Sequence, residues 1–163
     1  MMASRDVAAL RDKGLPEEIG RILVPVGGGP NARLALQMAR DIATPGNTEV
    51  VGLRLVLGEA DDERMEDEEL QLHEIAEAEL GEVTENITLK VKRAESVADE
   101  ILKECQEGGY DLLMTGSAEE VLAPGQLFGN LNDYLLDVVP CSMMIVRRYQ
   151  TGTTLWMRKQ LKK

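Results

Sequence analysis

Aromatic residues are scarce: Tyr110, Phe128, Tyr134, Tyr149 and Trp156 are the whole set in a chain of 163 residues. Stacking platforms for the bases of a single-stranded nucleic acid are therefore excluded. The core must be built from Leu, Val, Ile, Ala and Met. Histidine occurs once, as His73 beside Leu72 on an acidic stretch with no nucleophile to serve, so Ser-His-Asp chemistry has no base. Cys105 and Cys141 stand far apart with no CxxC pairing and no His cluster, which excludes a zinc or redox motif and leaves two small buried apolar residues. No GxxxxGK[ST] is present, so a P-loop NTPase is excluded. No apolar run approaches the ~20 residues of a membrane helix. No signal peptide opens the chain, and the expected compartment is the cytoplasm.

Basic charge is in short supply except at one end. The formal net charge is -11, which argues against a nucleic-acid partner, since phosphate backbones are held by Lys and Arg. No acid follows Asp137, so Arg147, Arg148, Arg158, Lys159, Lys162 and Lys163 contribute +6 and leave -17 on residues 1–137. The final segment, TGTTLWMRKQLKK, reads as a basic tail carrying few apolar residues. The run GEADDERMEDEEL holds eight carboxylates between Glu59 and Glu69. It lacks the alternating ligands and central glycine of a calcium loop, so no metal site is expected and a solvated helix start is the reading.

What the chain does have is a repeated strand, turn and helix pattern. Residues 1–20 read as a lead-in with weak helical spacing in RDVAALRDKG, broken by Gly14, Pro16 and Gly20. From Arg21, RILVPV is a short apolar strand, and NARLALQMARDIA places Ala32, Ala35, Leu36, Ala39, Ile42 and Ala43 on one helical face. EVVGLRLV, ITLKVKR, DLLMT and SMMIVRR supply four further strands. Between them lie helices marked by Leu72, Ile75, Ala76, Leu80 and Val83, by Val97, Ile101, Leu102 and Cys105, and by Leu131, Tyr134, Leu135 and Val138. Ser96 and Asp99 resemble a capping box at the start of the third helix. Five strands alternating with four helices imply an α/β, Rossmann-like, doubly wound parallel sheet over residues 21–148, with residues 149–163 as the tail. Ligands in such sheets sit outside the carboxyl ends of the strands, at a topological switch.

Two glycine patterns fall at such ends. Gly27-Gly28-Gly29-Pro30-Asn31-Ala32 matches GxGxxA between a strand and a helix, but the second strand ends Arg54-Leu55-Val56-Leu57-Gly58 without the acid that would hold a dinucleotide ribose. A tight turn into a helix, with Pro30 in its first turn, accounts for it. Gly116-Ser117 and Gly129-Asn130 bracket a long turn after the fourth strand, and backbone amides freed there suit an anion, above all phosphate.

The chain from Arg21 to Arg148 resembles the universal stress protein family. Gly116, position 119 and Gly129-Asn130 keep the spacing of that family's glycine motif, Pro140 precedes the closing strand SMMIVRR, and RILVPV with ARLALQMARDIA looks like its first strand and helix. The resemblance implies an adenine nucleotide alpha hydrolase-like sheet of five parallel strands in the order 3-2-1-4-5, a regulatory, non-enzymatic role with no catalytic residues, and non-hydrolytic binding of ATP or AMP. The positions that match the family's nucleotide site are Pro25, Gly27, Leu55, Thr115, Gly116, Ser117, Gly129, Asn130, Leu131 and Asn132. Gly27 stands where nucleotide-binding members place an aspartate, Glu119 replaces the second glycine of the motif, and Asn130 replaces its Ser or Thr. The pocket is therefore expected to be degenerate. The resemblance also implies a homodimer paired through the fifth strand, Ser142, Met143, Met144, Ile145 and Val146, an apolar edge that would otherwise invite aggregation. The alternative is the cytosolic regulatory domain of a membrane transporter or channel, because GGGPNARLAL lacks the usual acid and the lead-in reads as a linker behind an added Met1-Met2.

Overall fold

A computed structural model of the chain describes residues 6–27, 29–118, 124 and 126–148. Gly28, Glu119, Met1-Met2 and the basic tail from 149 to 163 lie outside the described residues. Among the described residues six strands form one sheet: β1 (Val7–Arg11), β2 (Arg21–Pro25), β3 (Glu49–Leu57), β4 (Ile87–Ala94), β5 (Leu112–Gly116) and β6 (Ser142–Arg147). Four helices alternate with them: α1 (Pro30–Ala43), α2 (Asp62–Leu80), α3 (Val97–Glu107) and α4 (Asn130–Val138). The order across the sheet is β1-β6-β5-β2-β3-β4. The five expected strands keep their relative order and run parallel.

The sixth strand is a correction. VAALR, read from sequence as part of a weakly helical lead-in, lies antiparallel along β6 with Val7 opposite Arg147 and Arg11 opposite Met143. Five residues, four of them small or aliphatic, have little intrinsic preference, and the row of unpaired N–H and C=O groups on the edge of β6 decides their conformation. Behind β1 the chain is pinned in place. The Lys13 amide donates to Ser142 Oγ at 2.8 Å and the Lys13 ammonium to the Val139 carbonyl at 2.7 Å. Asp12 accepts from the Gly14 and Leu15 amides at 2.9 and 2.8 Å, closing a turn in which Gly14 has φ +95°. Those amides, that of Leu15 first, hold the Asp12 carboxyl below its ordinary value. The edge expected to pair two copies is thus already occupied within one chain.

Period-two alternation along the strands sorts the core into two layers. On one face Ile22, Val24, Val50, Leu112 and Met114 pack with Leu34, Leu36 and Ala39 of α1 and Leu72 and Ala76 of α2. On the other, Leu23, Val51, Leu53, Leu113, Met143 and Ile145 pack with Ile101 and Cys105 of α3 and Leu135 of α4. Full burial of such side chains contributes roughly 1.5–3 kcal/mol each. Helix starts follow the residues beneath them. Asp61 caps α2 by accepting from the Arg64 amide, acids fill its first turn, and Gly81 ends it at φ +75°. That stop leaves Val83 beyond the helix, packed at the core margin. Ser96 caps α3 by accepting from the Asp99 amide at 3.3 Å.

A buried acid that periodicity does not reveal locks α3 to β4. Glu104 is 6% exposed and takes Lys90 at 3.2 Å, Lys92 in a short contact, and the Tyr110 hydroxyl at 3.3 Å. Burial works to raise its carboxyl pKa, but the hydrogen bonds from the two lysines outweigh it and hold the group below its ordinary value. Burial, with Glu104 beside it, pushes the Tyr110 phenol up to about 12. Cys105 and Cys141, distant in sequence, interact in this layer as free buried thiols, and Cys105 is driven upward first by its hydrogen bond with Cys141 and then by burial.

Candidate functional site

β2 is flanked by β5 on one side and β3 on the other, so the winding reverses beside it. A cavity of about 490 Å³ opens there, at the carboxyl ends of β2, β3 and β5. Its floor and apolar wall are Pro25, Val26, Gly27, Ala32, Leu53, Leu55, Val56 and Leu57, faced by Val97 and Ile101 of α3. Thr115, Gly116, Leu131 and Asn132 form the wall toward α4, and Arg54, Arg64 and Glu68 the wall toward α2.

Seven of the ten positions singled out from sequence line this cavity: Pro25, Gly27, Leu55, Thr115, Gly116, Leu131 and Asn132. Ser117, Gly129 and Asn130 do not, and each is engaged elsewhere. The Ser117 amide donates to the Val146 carbonyl at 2.8 Å, and its carbonyl accepts from Asn31 Nδ2 at 2.8 Å. Gly129 precedes α4 at φ +104°, where a Cβ would lie 2.9 Å from that of Ala118. Asn130 Oδ1 accepts from the Gln126 amide nitrogen.

Packing, rather than a ligand, explains Gly116. A Cβ there would fall 2.4 Å from the Ala32 nitrogen and 2.5 Å from the Asn31 carbonyl carbon, so only glycine lets the end of β5 meet the start of α1. Asn31, 4% exposed, fastens the same junction by also accepting from the Arg148 amide at 2.7 Å. Gly27 is the opposite case. A Cβ there meets nothing within 4 Å, so the missing first-loop carboxylate is not excluded by space.

The two polar walls differ in kind. Toward α2, Arg54 donates to Glu68, to Gln71 at 3.2 Å and to the Val26 carbonyl at 3.5 Å, and Arg64 lies 3.5 Å from Glu68. The hydrogen bond from Arg54 is the main cause holding the Glu68 carboxyl below its ordinary value. Toward α4, Thr115 and Asn132 are each 4% exposed. Thr115 Oγ1 and Asn132 Oδ1 are buried with no hydrogen-bond partner among the described residues, while Asn132 Nδ2 donates to the Gly116 carbonyl at 3.0 Å. Asp133, in the first turn of α4, accepts from the Leu127 and Phe128 amides at 3.1 and 3.0 Å.

Sequence reasoning missed Arg54, Arg64 and Glu68 as cavity residues. The acidic run holding Arg64 and Glu68 looked like a solvated helix start, and only the packing of α2 beside β3 brings their heads over the opening. It also mis-set α4. Of Leu131, Tyr134, Leu135 and Val138, only Leu135 is buried, and the others are 38%, 42% and 36% exposed. Asn132, tied to Gly116, fixes the rotation that turns positions 132, 135 and 139 inward. Among the described residues, no group of three His, Cys, Asp or Glu is placed to hold a metal ion. No described helix is long and apolar enough to cross a membrane.

An α/β sheet with a cavity at this switch defines a Rossmann-like, doubly wound class of fold, and comparison with known proteins narrows it. The model of the universal stress protein family matches residues 18–147, and the chain belongs to that family. Among solved structures, the universal stress protein UspA from Lactobacillus plantarum aligns over 81% of this chain and 100% of its own, at 18% identity and a TM-score of 0.65. A universal stress protein in complex with cAMP aligns over 78% and 96% at 16% identity and a TM-score of 0.64. A family protein from Arabidopsis thaliana with AMP bound aligns over 82% and 95%, at 16% identity and a TM-score of 0.57. Identities this low establish a common fold. None of the curated proteins matches the chain.

Proposed function

We propose that this chain is a non-enzymatic, ligand-sensing domain of universal stress protein type, whose ligand is an adenosine-containing molecule held in the cavity between β2, β3 and β5. The observation that carries the reading is the convergence of Pro25, Gly27, Leu55, Thr115, Gly116, Leu131 and Asn132 on one cavity whose volume suits a small organic ligand. The aliphatic wall of Val26, Leu53, Leu55, Val97 and Ile101 suits the faces of a flat base. Relatives of the same fold carry cAMP and AMP. The family match and these relatives favour this reading over a transporter's regulatory domain.

Turnover has no support among the described cavity residues, which offer neither a histidine nor a lysine to a reacting phosphate. Dimerisation through Ser142–Val146 belongs to the reading only with β1 displaced, since β1 holds that edge. The test is calorimetric titration with adenosine, AMP and ATP, together with an assay for ADP or phosphate release. Saturation at a hundred times the dissociation constant is expected to stabilise the fold by about 2.7 kcal/mol without product release. Absence of binding by all three compounds sinks the sensing role, and steady product release sinks the non-enzymatic one.

A further inference from the structure

The described side chains at the phosphate end of the cavity do not fit the group that the fold implies, and resting on the proposed adenosine-type ligand, that mismatch names the ligand's chemistry more closely. A phosphate site at a helix start needs spare N–H donors and positive charge. Gly129 gives the start of α4 no side-chain cap, but the side chains of this wall offer the reverse. Asn132 spends its Nδ2 on the Gly116 carbonyl, so the capacity left on its buried side chain is that of an acceptor. Thr115 Oγ1 lies unpartnered on the same wall, able to accept or to donate. No described residue lining this wall is cationic. The Asp133 carboxylate already takes the amides of Leu127 and Phe128, and it sets a negative charge in the first turn of α4, where the helix end would otherwise attract an anion. On the opposite wall the two arginines share Glu68, and Arg54 is further committed to Gln71 and the Val26 carbonyl.

An ionised phosphate placed against Asn132 Oδ1 would set acceptor against acceptor and leave the buried oxygen unpaired. A hydroxyl or amine would satisfy it. We infer that the cavity selects an uncharged, donor-bearing ligand of the nucleoside class, with adenosine as the prototype, over its phosphorylated forms: Asn132 Oδ1 and Thr115 Oγ1 receive its N–H or O–H groups, and Asp133 repels phosphate.

The test titrates adenosine, AMP and ATP into the chain and into three variants. Adenosine binds the unmodified chain roughly ten-fold more tightly than ATP, as one satisfied buried hydrogen bond against one left unpaired requires. Asn132→Leu weakens adenosine by about ten-fold. Thr115→Val, nearly isosteric, weakens it by about three-fold and serves as the reporter should the Asn132 variant fold poorly. Asp133→Asn narrows the gap between the two ligands by improving ATP alone. ATP binding as tightly as adenosine overturns the inference and leaves the proposed function standing, whereas absence of binding by every compound overturns both. Unchanged adenosine affinity in the Asn132 and Thr115 variants also overturns it.

Discussion

The two polar walls of the cavity face each other with opposite designs. On the α2 side, charge is concentrated and compensated: Glu68 lies between Arg54 and Arg64. On the α4 side, the lining is neutral and under-satisfied, with two buried oxygens that find no partner among the described residues. A buried unpaired polar atom costs about 1–3 kcal/mol, whereas a paired charge at a cavity rim costs little. One wall is therefore complete as folded, and the other leaves two oxygens that the proposed ligand would satisfy.

The strongest way to break this contrast is to disturb the junction that supports the incomplete wall. Gly116→Val forces side-chain atoms into the start of α1, and we expect a loss of roughly 3 kcal/mol in urea unfolding, with ligand binding lost as well. A change below about 1 kcal/mol would show that α1 yields easily and that the α4 wall is not rigidly placed.

The complete wall should respond to pH where the other does not. Glu68 has a lowered pKa in the folded chain, so its contribution is present above the unfolded-state value near ~4.3 and disappears as pH falls through the lower folded value. Arg54 and Glu68 side chains are 15% and 14% exposed, so Glu68→Gln is expected to cost about 2 kcal/mol at pH 7. The difference from the unmodified chain should close below about pH 4. Denaturant midpoints across pH 3–8 measure it, and a deficit that persists undiminished at pH 3 would remove the ion pair as its cause. The smallest expected effect is at the mouth. Gly27→Ala meets nothing within 4 Å and should shift stability by less than about 0.5 kcal/mol. A larger thermal shift would mean that the first loop packs more tightly than its open surroundings imply.

Much of the architecture was legible before folding. Alternation in RILVPV, EVVGLRLV and SMMIVRR and the spacing of Ala35, Ala39 and Ala43 are local signals with fixed periods, and they located five strands and four helices. Seven cavity residues were also within reach, since the resemblance to the family pointed to them and strand ends and glycine turns converge at a switch. Glu104 and Asn132 were not. Each is a polar residue whose inward orientation rests on partners remote in sequence, Lys90 and Lys92 for one and the Gly116 carbonyl for the other.

Composition and periodicity decided the fold class, because it follows from apolar burial and chain connectivity, which are written residue by residue, while the spacing of Gly116 and Gly129-Asn130 carried the resemblance to the family. Tertiary structure decided what each feature is for. Gly116 proved to be a contact between β5 and α1, since only in three dimensions does the Ala32 nitrogen come within 2.4 Å of its absent Cβ. VAALR became a strand because the open edge of β6 offered it hydrogen bonds that its own side chains could not specify. The inward turn of Asn132, with its Nδ2 on the Gly116 carbonyl and its Oδ1 unpartnered, was set by a helix rotation that no single segment encodes.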